Sequence, residues 1–235
     1  MTGAVPHTAM VLAAGLGSRL GDGPPKPLRQ VGGKALIDRA LDLLDEAGVA
    51  RAVVNTHHRA EEIEAHLAAR TRPQIRISRE PERLETGGGV ALARALLGGE
   101  PFFVLNSDLV WGPDGAEWLL RLAAGFDPRR MDALLLLYPT GRAVHYDGAG
   151  DFHLASDGRL CRRRDSERAA YLFTGAQILA PCLFDDPPAG AWRLTRAYDK
   201  AEGDGRLFGL VCEGIWLDAG TPVRLAHAEA MLASS

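Results

Sequence analysis

The feature that most constrains the fold is an apolar segment near the start of the chain that runs directly into a loop of small residues. Residues 8–12 read Thr-Ala-Met-Val-Leu, which is typical of a buried strand, and residues 13–17 read Ala-Ala-Gly-Leu-Gly. Small residues let the backbone approach a ligand closely, and N–H groups exposed after a strand suit phosphate oxygens. Arg19 and Lys26 then add two cations. The segment therefore predicts a binding loop for a triphosphate.

The alternative is a strand-to-helix turn that carries Gly-x-Gly for packing alone. The dinucleotide fingerprint G-x-G-x-x-G is incomplete, because Leu20 stands at its last glycine position. The nearby Arg19 and the segment Pro25-Lys26-Pro27 favour the nucleotide-phosphate site over simple packing.

Helical and strand patterns alternate through the first half of the chain. Apolar residues recur at helical spacing over residues 33–47 and 60–69, and short apolar strands are predicted over 52–55 and 74–78. This alternation with short loops predicts right-handed βαβ units and a parallel sheet. The predicted fold class is therefore α/β, with a Rossmann-like, mostly parallel sheet flanked by helices. Ligands of such sheets bind beyond the carboxyl ends of the strands. One such strand end is predicted at Asn55-Thr-His-His58, which is either a simple polar loop or part of a binding site.

Composition excludes several classes of protein. The formal net charge is −3, which gives no general nucleic-acid-binding footprint. No apolar run approaches the ~20 residues needed to span a bilayer, and residues 1–7 lack the regions of a signal peptide. The cysteines Cys161, Cys182 and Cys212 show no C-x-x-C spacing, so neither a zinc site nor a disulfide framework is expected. We expect a cytoplasmic protein with no membrane or nucleic-acid partner.

Two aspartates follow apolar strands. Asp108 ends the run Phe102-Phe-Val-Leu-Asn-Ser, where α/β sheets place functional groups, and a carboxylate there is a hard ligand suited to Mg²⁺. Helix capping is the alternative role. Asp218 lies in Trp216-Leu-Asp-Ala-Gly-Thr221, and a buried aspartate is costly unless it is paired or bound to a metal. Both residues are candidate metal ligands.

These motifs together resemble those of the sugar-phosphate nucleotidyltransferases. The family pattern is Leu-Ala-Ala-Gly-x-Gly-[Ser/Thr]-Arg-[Leu/Met], found here at residues 12–20, followed by Pro-Lys-Pro at 25–27. The loop between Arg19 and Lys26 is short and looks like that of the isoprenoid cytidylyltransferases, but the later motifs favour sugar-phosphate enzymes. The string Leu84-Glu-Thr-Gly-Gly-Gly89 is similar to that of the N-acetylmuramate α-1-phosphate uridylyltransferase branch. Its glycines either expose backbone N–H groups to a ligand or allow close helix packing.

The resemblance implies the nucleotide-diphospho-sugar transferase fold, in one domain over residues 1–235. Its parts would be a nucleotide-binding part (1–138), a small β-rich sugar-binding subdomain (139–200), and closing strands with a helix (201–235). It implies transfer of UMP from UTP to N-acetylmuramic acid (MurNAc) 1-phosphate, giving UDP-MurNAc and pyrophosphate, as in peptidoglycan recycling. Mg²⁺ would be the cofactor. The oligomeric state is left open.

The resemblance also assigns roles to individual residues. Arg19 and Lys26 would be catalytic, and Asp108 and Asp218 would bind the metal. Residues of the first loop and of the glycine-rich segment would contact the nucleotide: Leu12, Ala13, Ala14, Gly15, Gly17, Ser18, Arg19, Glu80, Thr86, Gly87 and Gly88. Within this set Glu80 would face the uracil N3–H, because a carboxylate is purely an acceptor. Residues of the later strands would contact the acceptor: Asn106, Asp151, Thr174 and Gly175.

Two other functions remain open at this stage. One is a thymidylyl-, guanylyl- or cytidylyltransferase that acts on another sugar phosphate. The other is a non-catalytic sensor of nucleotide sugars, which is expected to lack the lysine or the aspartates that this chain retains. The sequence also does not decide which of Arg142, Arg163 and Arg193 would bind the lactyl carboxylate of MurNAc.

Overall fold

The computed structural model describes residues 3–233, and within them a nine-stranded mixed sheet forms the centre of the molecule. The strands in chain order are β1 (Thr8–Leu12), β2 (Gln30–Val31), β3 (Lys34–Ala35), β4 (Arg51–Thr56), β5 (Gln74–Arg79), β6 (Phe102–Asn106), β7 (Leu109–Trp111), β8 (Ala133–Pro139), β9 (Phe152–Leu154), β10 (Leu160–Arg162), β11 (Tyr171–Leu179), β12 (Leu207–Val211) and β13 (Trp216–Asp218). The helices are α1 (Leu36–Glu46), α2 (Ala60–Leu67), α3 (Glu85–Leu92), α4 (Arg94–Leu97), α5 (Gly115–Gly125), α6 (Thr195–Gly203) and α7 (Pro222–Ala233).

The parallel part of the sheet is built on β1. This strand pairs in parallel with β4 on one side and with β6 on the other, and β5 continues the sheet beyond β4. Its central residues Ala9, Met10 and Val11 are fully buried, as expected for a strand covered on both faces. Its last residue, Leu12, lies in register with Asn55 and Asn106. The predicted strand ends therefore meet at one edge of the sheet.

Helices cover both faces of this sheet. The buried side of α1 carries its apolar residues at helical spacing, including Leu36, Leu41 and Leu44, and the left-handed Gly48 follows its end. The predicted α/β architecture, with helices packed on a largely parallel sheet, is confirmed.

Antiparallel pairing begins with β11. This strand lies antiparallel to β6 and β8, while β12 pairs in parallel with β8. The hairpin of β9 and β10 extends the same sheet through the pair Phe152 and Tyr171. A β-rich extension thus follows the first half as expected. The division of the chain into three functional parts remains a prediction.

A separate two-stranded sheet joins the two candidate metal ligands. Strands β7 and β13 are antiparallel, with Asp218 opposite Leu109, and the Ala219 N–H donates to the Asp108 carbonyl over 3.1 Å. The α7 helix then starts at Pro222, and the Thr221 hydroxyl caps it by accepting a hydrogen bond from the Arg224 N–H. Asp108 and Asp218 are therefore neighbours in space.

Residues 191–193, just before α6, form neither helix nor strand. The Trp192 N–H donates to the Leu84 carbonyl, and the Trp192 carbonyl accepts from the N–H groups of Gly87 and Gly88. These bonds hold residues 192–194 against the start of α3, so that α6 begins only at Thr195.

None of the helices described within residues 3–233 combines the length and the hydropathy that a membrane span requires.

Candidate active site

A cavity of about 610 Å³ opens at the carboxyl ends of β1, β4 and β6. Most of the predicted site residues line it: Leu12, Ala13, Ala14, Gly15, Gly17, Ser18, Arg19, Lys26, Glu80, Thr86, Asn106 and Asp108. Further residues that the sequence did not single out as ligand contacts also line it: Leu16, Pro27, Asn55, Arg83, Glu85, Ser107 and Gly220. Arg193, one of the three candidate cations, is a lining residue too. The structure thus brings together segments from both halves of the chain.

Asn55 connects the first loop to the opposite wall of this cavity. Its Oδ1 accepts a hydrogen bond of 2.8 Å from the Ala13 N–H, and its Nδ2 donates to Glu80 Oε1 over 2.7 Å. The other Glu80 oxygen accepts from the Leu84 N–H over 3.1 Å. Asn55 and Glu80 are both 3% exposed, so these bonds are shielded from water. Such buried polar networks are costly to leave half satisfied.

The two glycines of the first loop serve different purposes. Gly17 adopts a left-handed backbone with φ +65°, and a Cβ there would lie 2.8 Å from the Lys26 Cβ. Gly17 therefore allows the loop to pack closely against Lys26. A Cβ on Gly15 would meet nothing within 4 Å. Folding does not require glycine at position 15, but a bound phosphate close to the backbone would.

Charges of opposite sign are paired at the far end of the loop. Lys26 forms an ion pair with Asp108, and both side chains are less than one-fifth exposed, at 18% and 15%. Asp218 forms an ion pair with Arg224 and also accepts the Gly220 N–H over 2.6 Å. Arg19 is exposed beside them.

Gly220 lies between the two aspartates. A Cβ at this position would lie 2.8 Å from Asp218 Oδ1 and 3.4 Å from Asp108 Oδ2, with an Arg19 nitrogen at 3.5 Å. The two carboxylates therefore border one small space, although Asp218 itself does not line the large cavity. In the described part of the chain, no group of three or more His, Cys, Asp or Glu side chains is gathered for a metal.

The glycines of α3 pack the helix against its neighbours. A Cβ on Gly87 would lie 2.3 Å from the Trp192 ring, and one on Gly89 would lie 2.5 Å from Glu80 Oε1. The N–H groups of Gly87 and Gly88 are bonded to the Trp192 carbonyl, and neither residue lines the cavity. Their contacts support the packing role, one of the two alternatives, over direct nucleotide contact.

Two residues predicted to contact the acceptor have structural roles. The Thr174 side chain is fully buried, and its hydroxyl donates to the Leu136 carbonyl. Gly175, with φ +89°, lies where a Cβ would be 2.8 Å from Asn106 Nδ2. Gly175 therefore makes room for Asn106, which does line the cavity. Neither Thr174 nor Gly175 lines the cavity, and both lie at the irregularity of β11 between Phe173 and Gln177.

Asp151 also lies apart from the cavity lining. Its carboxylate accepts the Phe173 N–H over 2.8 Å and so ties the β9 hairpin to β11. The side chain reaches solvent at one edge, yet burial by the surrounding protein raises its pKa, against the lowering effects of the Phe173 N–H and Arg163. In the structure the Asp151 carboxylate holds the hairpin, and its contact with the acceptor stays a prediction.

The sequence leaves the importance of Asn55 undecided, and it does not indicate Arg83, Glu85 or Arg224. Asn55 lies next to the end of an apolar strand, and Asp108 follows one, so position at a strand end makes Asn55 a candidate as well. Arg224 lies in α7, six residues after Asp218, and the turn between β13 and α7 brings the two side chains together.

We expect the side chains of Asn55 and Glu80 to be energetically coupled. Asn55→Ala should lower the free energy of unfolding by about 2–4 kcal/mol, because it leaves the Ala13 N–H and the Glu80 carboxylate without their buried partner. Urea denaturation of both single variants and of the double variant with Glu80→Ala measures the coupling. The fall in the free energy of unfolding of the double variant should be smaller, by at least about 1 kcal/mol, than the sum of the falls in the two single variants. Strict additivity would contradict the network.

Gly15→Ala should separate folding from ligand binding. The variant should unfold at the wild-type urea midpoint, because the added Cβ meets only open space in the free protein. Its affinity for nucleoside triphosphates, measured by calorimetry with each of the four ribonucleotides, should fall about tenfold or more if phosphate lies against this backbone. Gly99→Ala is the matched control, since Gly99 also has open space around it and does not line the cavity. Unchanged nucleotide affinity in Gly15→Ala would exclude close phosphate contact there.

Comparison with known proteins agrees with this geometry. The family model of the MobA-like NTP transferase domain matches residues 9–213. The chain is 42% identical to the N-acetylmuramate α-1-phosphate uridylyltransferase of Caulobacter vibrioides, over 98% of each chain. It is 35% identical to the enzyme of the same name from Neisseria meningitidis serogroup B, over 95% of this chain and 97% of the other.

Solved structures share the fold at low sequence identity. HddC from Yersinia pseudotuberculosis, complexed with GMP-PN, superposes with a TM-score of 0.76 at 20% identity, over 96% of this chain and 99% of the other. A Bacillus anthracis protein assigned as a glucose-1-phosphate thymidylyltransferase, in complex with sucrose, superposes with a TM-score of 0.79 at 18% identity. The superposition covers 95% of this chain and 94% of the other. With the fold, the glycine loop and the relatives in agreement, the chain belongs to the MobA-like NTP transferase family and is a sugar-phosphate nucleotidyltransferase.

Proposed function

We propose that the protein transfers UMP from UTP to MurNAc 1-phosphate, releasing pyrophosphate and forming UDP-MurNAc. The single observation that carries the proposal is the cavity in which the glycine loop faces Glu80 on one side and Lys26 with Asp108 on the other. Relatives similar over nearly the whole chain, named N-acetylmuramate α-1-phosphate uridylyltransferases, support this substrate pair.

The proposed chemistry is a single in-line displacement. An oxygen of the sugar phosphate attacks the α-phosphorus of UTP, the new P–O bond forms, and the bond to the pyrophosphate oxygen breaks. No general base is needed, because a phosphate dianion is already nucleophilic. Catalysis then consists of positioning the reactants and neutralising their charge. Lys26 would bridge the attacking phosphate and the α-phosphate, and Arg19 would stabilise the departing pyrophosphate.

Asp108 and Asp218 suit a magnesium ion. Their carboxylates are hard oxygen donors, and they border a space that the missing Cβ of Gly220 leaves free. We propose that these two residues hold Mg²⁺, with its remaining positions left to phosphate oxygens and water. When bound, the ion would neutralise charge on the α-phosphate. Lys26 and Arg224, which pair with these carboxylates in the structure, would then be free to contact other anions.

The base is proposed to lie on the Glu80 side of the cavity. Asn55 and the Leu84 N–H orient the two Glu80 oxygens and leave each with a further lone pair that can accept the uracil N3–H. Thr86 lines the same wall and can pack on the ribose. On the acceptor side Asn106, placed by the space at Gly175, would contact the sugar phosphate. A cytoplasmic location remains a prediction.

The alternatives have less support. For a thymidylyl-, guanylyl- or cytidylyltransferase the support is weaker, because the relatives that share 42% and 35% identity over nearly the whole chain are uridylyltransferases. Mannose-1-phosphate guanylyltransferases match 91% of the chain at only 24–26% identity. A non-catalytic sensor would not need the basic and acidic residues to be retained, yet Arg19, Lys26, Asp108 and Asp218 are all present.

The substrate pair is tested by pyrophosphate release with Mg²⁺, across a grid of nucleoside triphosphates and acceptors. The acceptors are the 1-phosphates of MurNAc, N-acetylglucosamine (GlcNAc), glucose and mannose, with phosphocholine. We expect selective turnover of UTP with MurNAc 1-phosphate. Turnover of another pair would overturn the proposed substrates, and binding of UTP without turnover of any acceptor would favour the sensor.

Lys26→Ala should lower kcat by at least about a hundredfold, because Lys26 is assigned to charge that develops in the transition state. Steady-state kinetics with both substrates separate kcat from KM. Lys34→Ala is the matched control, since Lys34 is a half-exposed lysine paired with Asp42 outside the cavity. If Lys26→Ala raised only KM, the lysine would belong to ground-state binding instead.

A further inference from the structure

We propose that Arg193 is the residue that binds the lactyl carboxylate of the acceptor and so selects MurNAc 1-phosphate. This inference rests on the acceptor proposed above and adds the part of the site that recognises it. Of the three candidate arginines, Arg142, Arg163 and Arg193, only Arg193 lines the cavity within the described chain.

The backbone around Arg193 is fixed on both sides. Trp192 before it forms three backbone hydrogen bonds with Leu84, Gly87 and Gly88. Leu194 after it donates its N–H to the Thr86 hydroxyl over 3.0 Å. These bonds anchor residues 192–194 to the first turn of α3, which itself borders the cavity. The position of the Arg193 Cα is therefore set by the fold, while its side chain is 74% exposed and free to reach a ligand.

The guanidinium has only a weak partner in the structure. Arg193 Nε lies 3.7 Å from Glu85 Oε2, which is beyond hydrogen-bonding distance, whereas Arg83 is bonded directly to the other Glu85 oxygen. Exposed pairs of this kind contribute little stability. A carboxylate on the substrate can accordingly take the place of Glu85, and a bidentate arginine–carboxylate pair is the stronger contact.

Glu85, the residue that both Arg83 and Arg193 reach, has an unusual backbone conformation. Its φ is +59°, in the left-handed region that non-glycine residues seldom occupy. Residues held there persist only where the surroundings fix them, and they cluster at binding sites. At this position the carboxylate lies between Arg83 and Arg193 at the cavity wall.

The anion that Arg193 meets should be a carboxylate rather than a phosphate. The cations assigned to phosphates, Arg19 and Lys26, lie in the segment after β1, and Lys26 pairs with Asp108, which follows β6. Arg193 forms a second basic group with Arg83, because both arginines reach Glu85 at the start of α3. Apart from phosphates, the lactyl carboxylate is the one anionic group that the proposed reactants carry.

The other two candidate arginines have structural tasks. The Arg163 guanidinium donates to the Gly150 carbonyl over 2.9 Å and to three carbonyls of its own loop. Arg142 donates to the Glu213 carbonyl over 3.0 Å and lies over the Tyr138 ring. Both hold surface loops in place, which leaves Arg193 as the candidate that faces the cavity.

Kinetics with matched acceptors test the proposal. Arg193→Ala, Arg193→Lys and the control Arg196→Ala are compared with wild type on MurNAc 1-phosphate, on its lactyl amide and on GlcNAc 1-phosphate. Acceptors that turn over slowly are measured as competitive inhibitors. Arg196 is exposed on α6 and does not line the cavity. Its replacement by alanine therefore removes one positive charge, as Arg193→Ala does, but leaves the cavity lining unchanged.

Arg193→Ala should raise KM for MurNAc 1-phosphate by about 10- to 100-fold, the effect of losing a charge-assisted contact, with kcat and KM for UTP within about twofold of wild type. Binding of the amide and of GlcNAc 1-phosphate should not change. Arg193→Lys should restore part of the loss, and Arg196→Ala should match wild type.

Three outcomes would overturn the assignment: equal losses for all acceptors, a rise in KM for UTP alone, or no change in any constant. The folding of each variant is checked by urea denaturation, and the exposed Arg193 side chain makes a wild-type midpoint the expected result. If wild type itself rejected MurNAc 1-phosphate, the proposed function would fail and this inference with it. Wild-type acceptance without selective loss in Arg193→Ala would overturn the inference alone.

Discussion

The Asn55 side chain makes the contact on which the rest of the site depends. One carboxamide satisfies the backbone of the first loop at Ala13 and the carboxylate of Glu80 at the same time. The two walls of the cavity come from β1 and β5, which are not adjacent in the sheet, and β4 lies between them. A residue at the end of β4 is therefore placed to join them. Without this bridge, the Ala13 N–H and the Oε1 atom of Glu80 would each lose the hydrogen-bond partner that they have in the structure.

Four charged side chains in and beside the cavity form two ion pairs of opposite sign. Lys26 pairs with Asp108, and Asp218 pairs with Arg224. Such pairing limits the cost of keeping these groups partly buried. In the proposed reaction, phosphate and Mg²⁺ would bind by exchanging partners with side chains that are already in position. Preorganised charge of this kind would then be the main source of catalysis, because the proposed displacement needs no base.

The sequence predicts those parts of the site that are continuous in the chain. The strand Thr8–Leu12, the glycine loop and Lys26 follow one another, and each has a local signature. Interactions between distant segments have no such signature. The role of the α3 glycines was ambiguous because it depends on Trp192, more than a hundred residues later, which occupies the space and the N–H groups. Thr174 was predicted to contact the acceptor, but its side chain is buried and its hydroxyl donates to the Leu136 carbonyl.

The most direct test of the account is a crystal structure of the protein with UDP-MurNAc bound. The account predicts that the diphosphate lies against the backbone of Gly15 and beside Lys26, with uracil N3 within hydrogen-bonding distance of Glu80. Density for the diphosphate away from the glycine loop would contradict the phosphate site. A base on the acceptor side, near Asn106, would reverse the proposed orientation of the nucleotide sugar.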